Sequence, residues 1–512
     1  MKLKGMVSLL LLMTLLLLPA PAHSAAAPQR VLLLYDSLAK GTALAGNVAE
    51  LQRLLAAYST KVTLSSLDKY EKGVLNSYSK VITVINRSDL SITNEAYLKD
   101  IADYPGQLMY VGYNTPGPMK QALRLTAAVW PGGSAKLSIG GFSGIDLKVE
   151  EMPYIAASQA VRTYGRLSFQ ESSLEAPYAV SSGQYTYAPY LRQGDSSVMA
   201  MAYVLKDWLP SSAVPHTYLV LREIYPFSDL DLLEKVADRL YQEGIPFIAS
   251  VQPVFGNTDF PAMERYLEAL KIVQSRNGTI LVNAPAVRPP INSNDYTLHD
   301  KMNAFLNVLI KNGLAPLGAG AESYWSYDKE YAERGLGFFD SAVLYPDEEV
   351  RYMDQTNVSK TFASSLYSLT TESLQGLSHT SHAMPQLPVN TAITAELPED
   401  EAGINKLLQT LEQQWITFAD YKQGAHKTVT EENTVVSADG VVSVNGVPLN
   451  VDYVPEAVSS DYQYKEEQIR SFTKLFSVQN KFFIVVIIAA LLLFGGLMTI
   501  GYRLYRKKYL KS

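Results

Sequence analysis

The 512-residue chain is 47% hydrophobic and 18% charged, holds no cysteine, and carries a formal net charge of −6. That length exceeds one ordinary domain and predicts two or three, while the apolar content excludes a chain that is disordered over most of its length. Lack of cysteine excludes disulfide scaffolds, thiolate zinc sites, iron–sulfur clusters and a thiol nucleophile, and the acidic balance argues against a nucleic-acid partner, which needs a basic face.

Lys2 and Lys4 precede an apolar run from Met6 to Leu18, followed by Pro19 and small residues including Ala22, Ser24 and Ala25. A basic start, a Leu-rich middle and a small-residue exit predict a secretory signal peptide over residues 1–24.

Residues 29–128 open with the strand Val31–Tyr35, then apolar residues at helical spacing (Val48, Leu51, Leu54, Leu55). Further strands read at Lys61–Leu64, Lys80–Ile85 and Gln107–Tyr113. This alternation predicts a parallel sheet in a flavodoxin- or amidotransferase-like domain. The loop from Asp36 to Gly46 has neither Walker A nor GxGxxG spacing, which argues against a nucleotide. Residues 129–210 are rich in Gly, Ser and Tyr, and short strands such as Ser134–Ile139 and Thr163–Phe169 predict a β-rich insert.

Residues 211–425 repeat a strand–helix unit. The strand His216–Ile224 leads to a helix capped by Ser228 with Asp231, carrying Leu233, Val236, Ala237 and Leu240 as its stripe and ending at Gly244. Similar units follow, with strands at Ile245–Val251, Thr279–Val282 and Leu336–Tyr345. Successive βα units predict a (β/α) barrel, closed or incomplete. Residues 426–480 alternate in period two around Asp439-Gly440 and Asn445-Gly446, predicting a hairpin and a juxtamembrane stalk that act as a spacer.

Residues 482–502 form a second uncharged apolar run; about 20 such residues cross a hydrocarbon core about 30 Å thick, so one transmembrane helix is predicted. Arg503, Arg506, Lys507, Lys508 and Lys511 follow it. They assign residues 503–512 to the cytoplasm and the N-terminus to the outside, as in a single-pass protein of the cell membrane. Eight of the 44 basic residues lie at these two ends and all 50 acidic residues lie between them, leaving an exposed body of −14.

Three stretches, Leu219-Val-Leu-Arg-Glu-Ile-Tyr-Pro-Phe-Ser-Asp229, Leu240-Tyr-Gln-Glu-Gly-Ile-Pro-Phe247 and Gln252-Pro-Val254, resemble a bacterial family related to the polysaccharide deacetylases, the relatives of carbohydrate esterase family four. The resemblance covers about Ala213 to Gln423 and is most specific in Leu240–Phe247. It implies a distorted (β/α) barrel whose relatives remove N- or O-acetyl groups from glycans with a divalent metal. It also implies an acidic pair after the first strand and a His-x-x-x-His pair that holds the metal. Carried onto this chain, the acidic pair falls on Arg222 and Glu223, the histidine pair on Asn283 and Val287, and a later histidine on Glu322. Valine binds no metal, and without imidazoles a metal is neither held in the usual way nor able to acidify its water.

The expectation is a degenerate metal site with no metal and no cofactor. Glu223 is the candidate catalytic residue, either as a retained cleft carboxylate or as the partner of Arg222 in a structural ion pair. Arg222, Asn283, Glu322 and Trp325 are candidates for binding substrate. His379-Thr-Ser-His382 has ligand-like spacing but lies between Ser- and Pro-rich segments, which reads as a solvated loop. Two readings follow. One is a membrane-anchored pseudoenzyme that binds glycan or scaffolds envelope or exopolysaccharide assembly. The alternative is an active carbohydrate deacetylase or hydrolase with a non-standard carboxylate site. Converging carboxylates favour the second, and an aromatic-lined cleft without them favours the first.

Overall fold

A computed structural model of the protein describes residues 28–89, 92–170, 172–209, 214–287, 294–347, 358–377, 384–413, 416–452 and 472–509. The expected signal peptide, His379, His382 and most of the expected stalk lie outside the described residues. The chain divides into two units, Met1–Val454 and Pro455–Ser512.

The first unit begins with five parallel strands side by side, in the order Lys61–Ser66, Arg30–Tyr35, Lys80–Ile85, Gln107–Gly112 and Tyr185–Ala188. This is the flavodoxin-like order. Lys80–Ile85 is buried at every position, as a sheet covered on both faces requires. The fifth strand comes from the segment expected to be a separate insert. Two more strands from that segment, Ala179–Ser182 and Arg162–Tyr164, extend the same sheet antiparallel. The first domain therefore does not end at residue 128. What is inserted is a four-stranded sheet of Gly133–Ile139, Phe142–Val149, Arg166–Phe169 and Glu175–Ala176, beside the pair Thr126–Trp130 and Met152–Ala157. Tyr185–Ala188 has four residues, too few to advertise a core strand by its pattern.

Seven parallel strands then close into a barrel in chain order: Thr217–Ile224, Phe247–Val251, Gly278–Asn283, Pro316–Glu322, Ser341–Tyr345, Ser364–Thr370 and Thr391–Glu396. The first pairs with the last, so no sheet edge remains. Alternate residues face inward, and Val220, Ile248, Leu281, Leu317, Val343, Leu366 and Ala392 fill the interior as a packed apolar core. The helix after the first strand starts one residue later than expected. Asp229, not Ser228, caps it by accepting the Leu232 N–H at 2.9 Å, while Ser228 Oγ accepts the Tyr225 N–H.

The segment expected to be a spacer is the barrel floor. Its strands His426–Val429, Thr434–Ala438, Val441–Val444 and Val447–Pro448 form an antiparallel sheet. Val435 and Val442, with Tyr421, join the interior core at the N-terminal ends of the barrel strands. His426 is buried there, its Nε2–H donating to the Tyr421 carbonyl at 2.7 Å, and burial lowers its pKa. Asp439-Gly440 and Asn445-Gly446 all have positive φ, as two-residue hairpin turns require.

The second unit contains the helix Phe472–Tyr509. Within it Val486–Arg506, of mean hydropathy 1.9, is long and apolar enough to cross a membrane.

Candidate functional site

In a parallel (β/α) barrel, ligands bind at the C-terminal ends of the strands. Two residues beyond the apolar layer, that end changes character. The alternation that points Val220, Ile248, Leu281, Val343, Leu366 and Ala392 inward also points Arg222, Ser250, Asn283, Tyr345, Ser368 and Thr394 inward. An apolar interior is thus topped by a polar layer.

That layer is internally bonded. Ser250 Oγ donates to Asn283 Oδ1 at 2.5 Å, and the Tyr345 hydroxyl donates to Ser250 Oγ at 3.0 Å. A Cβ on Gly320 would stand 2.5 Å from Asn283 Oδ1 and 2.8 Å from the Tyr345 ring, so only glycine leaves this cluster its room. The Arg222 guanidinium lies over the Tyr345 ring, 4.1 Å from its centroid. Its Nη2 stands 3.8 Å from Glu223 Oε1, an ion pair too long to be a hydrogen bond. Glu223 has φ +61°, where the pairing register of the first strand with the second shifts between Leu221 and Ile224. A side chain in the left-handed region costs about 1–2 kcal/mol, and such bulges re-aim neighbouring side chains.

The N-terminal domain reaches the same end. Its helix Asn47–Ala57 presents Arg53, buried, to the fifth and sixth barrel strands. Arg53 Nη1 donates to the carbonyls of Leu344 and Ser368 at 3.3 and 3.0 Å and to Ser368 Oγ at 3.1 Å. Nη2 donates to Glu50 Oε1 at 2.8 Å and to the Tyr367 hydroxyl at 2.5 Å. Nearby, Asp347 accepts the Tyr324 N–H at 2.9 Å. Burial pushes the Asp347 carboxyl up to about 6; the Tyr324 bond and Arg53 oppose that rise, and Glu322 and Glu50 add to it.

Two cavities flank the mouth. One of about 450 Å³ lies between helix Asn47–Ala57, the segment Gln193–Ala202 and the barrel rim, and includes Glu50, Arg53, Arg222, Tyr367, Thr370 and Thr394 in its lining. The other, about 600 Å³, is lined by residues including Arg222, Thr370, Glu372, Thr394, Glu396 and Lys406. In the loop after the first strand, Tyr225 and Phe227 stack at 4.8 Å, and Phe227 is 81% exposed.

The residues singled out from sequence separate here. Arg222 and Asn283 meet in the polar layer. Glu223 lies beside Arg222, half-exposed, and Glu322 ends the fourth strand. Trp325 is 2% exposed, stacked on Tyr331 at 4.3 Å and edge-on to Tyr324, so it packs in the core rather than along either cavity. Sequence reading passed over Arg53, Ser250 and Tyr345, because strand alternation identifies an inward layer only once the strand ends are known. It passed over Tyr225 and Phe227 because they lie in a connecting loop.

The metal implied by the family resemblance does not fit these residues. Arg222 is itself a cation, Asn283 Oδ1 is taken by Ser250, and Val287 offers no donor. Among the described residues, no group of three or more histidines and carboxylates is placed to hold an ion. The mouth carries a guanidinium stacked on Tyr345, hydroxyls, the carboxylates Glu50, Glu372 and Glu396 in the cavity linings, and the exposed Phe227 stacked on the half-buried Tyr225.

No family model matches the chain, and no curated protein does. Solved structures that match include the Bc1960 peptidoglycan N-acetylglucosamine deacetylase in complex with 4-naphthalen-1-yl-N-oxidanyl-benzamide, at 11% identity and a TM-score of 0.23. The match covers 41% of this chain and 87% of that one.

Proposed function

We propose that this protein is a membrane-anchored, extracytoplasmic, deacetylase-like pseudoenzyme that binds glycan at the C-terminal mouth of its barrel. It would serve as a scaffold in envelope or exopolysaccharide assembly. The observation that carries this reading is the composition of the polar layer. Arg222, stacked on Tyr345, and Asn283, engaged by Ser250, are the residues onto which the family resemblance carries a carboxylate and an imidazole of metal-dependent deacetylation. Two cavities at the mouth supply volume for sugar units, and the Tyr225–Phe227 pair supplies an exposed aromatic face suited to the C–H face of a sugar. The apolar helix supports anchoring, and the basic residues after it support a cytoplasmic C-terminus.

Equilibrium dialysis of envelope-type oligosaccharides against the full chain in detergent micelles tests this reading. Saturable binding is expected, weakened several-fold by Phe227→Ala. No saturable binding across neutral, acidic and acetylated oligosaccharides would overturn it.

A further inference from the structure

The two arginines at the barrel mouth differ in one respect. Both terminal nitrogens of Arg53 are engaged, by Glu50, Tyr367, Ser368 and the Leu344 carbonyl. The Arg222 side chain makes no hydrogen bond to any described residue. Its Nε is buried without a partner, and its nearest carboxylate, Glu223, is 3.8 Å away. Arg53 Nε is unpaired too, so what sets Arg222 apart is that neither of its terminal nitrogens is hydrogen-bonded to a described residue, where native structures pair nearly all such groups. The guanidinium is nonetheless fixed, because the Tyr345 ring lies under it and Tyr345 is itself tied to Ser250. Arg222, Thr370 and Thr394 also form the wall common to both cavities. A planar donor fork is therefore held in place, with its donors uncommitted, where two cavities meet.

We infer that Arg222 is the receptor for a carboxylate on the ligand, so that the glycan taken by this site is an acidic one built with uronic or similarly carboxylated sugars. This rests on the glycan-binding reading above. A guanidinium matches a carboxylate through two parallel N–H···O bonds. Local charge disfavours a dianionic phosphate monoester, because Glu372, Glu396 and Glu399 line the 600 Å³ cavity against Arg222 and Lys406 alone among its cationic lining residues, and a singly charged phosphodiester is the competitor that the experiment must separate. The −14 body does not prevent this, since its remote charges are screened beyond about 8 Å at physiological salt.

The test is titration calorimetry of the full chain in detergent micelles with three length-matched oligomers: a uronic-acid oligosaccharide, a neutral oligosaccharide and a glycerol-phosphate oligomer. The wild type is expected to bind the uronic-acid oligomer most tightly. Arg222→Gln should weaken that binding about 10- to 100-fold and weaken binding of the neutral oligomer much less, and Arg222→Lys should recover little of the loss, because the planar fork is lost. Equal wild-type affinity for acidic and neutral oligomers, or no effect of Arg222→Gln, would overturn the inference while leaving glycan binding intact. Preference for the phosphate oligomer would overturn the carboxylate assignment, and failure to bind any oligomer would overturn both readings. If Arg222→Gln does not fold, the wild type's ranking of the three oligomers decides.

Discussion

Glu223 is held in a conformation that side chains avoid, and the side chain of its neighbour Arg222 is hydrogen-bonded to none of the described residues. Strain at a non-glycine residue persists only where the surroundings impose it, and such residues cluster at sites. Glu223→Gly should therefore stabilise the fold by about 1 kcal/mol relative to Glu223→Ala, read by urea denaturation; equal stabilities would remove the strain. Asp347 gives a second test at this scale. Its folded pKa of about 6 lies above the unfolded value near 3.9. The folded state thus keeps the proton longer, and this group's contribution to stability falls as pH rises from about 4 to about 6. Asp347→Asn should be more stable than wild type by about 2–3 kcal/mol at pH 7.5, with the gain vanishing below about pH 4. A gain independent of pH would contradict the assignment.

At the scale of elements, helix Asn47–Ala57 seals the N-terminal domain onto the barrel through the Arg53–Glu50–Tyr367 cluster. Breaking a buried ion pair strands its partner, which costs about 3–5 kcal/mol. Arg53→Ala is expected to lose that much on denaturation, whereas Glu50→Leu with Arg53→Met should lose far less. A small loss in Arg53→Ala would mean that water satisfies Glu50. The helix itself was legible in the sequence from Val48, Leu51, Leu54 and Leu55. Its docking was not, because Arg53 bonds Ser368 from 315 positions away and no local pattern marks such a pair. The barrel strands up to Thr279–Val282 were also legible, as apolar runs bounded by Gly or Pro. The strand Pro316–Glu322, with the pattern PLGAGAE, was missed because its two glycines, one making room for Asn283 and Tyr345, dilute the apolar signal. The floor hairpins were read correctly as turns, but as a spacer, because period-two alternation does not say what a strand's apolar face covers.

At the scale of the whole molecule, the chain is a flavodoxin-like sheet with an insert, joined to a closed seven-stranded barrel, and a unit with one apolar helix. The candidate site was half legible. The family resemblance singled out Arg222 and Asn283, which both lie in the polar layer. The rest of the bonded layer was not legible, because only the closed barrel brings Ser250, Asn283 and Tyr345 together from three separate strands. The central claim is binding without turnover. It is tested most directly by measuring acetate released from an acetylated oligosaccharide by the full chain, with added divalent metal, at oligosaccharide concentrations where binding is saturated. The account predicts no release above the protein-free control. Metal-dependent release that Glu223→Ala abolishes would contradict it.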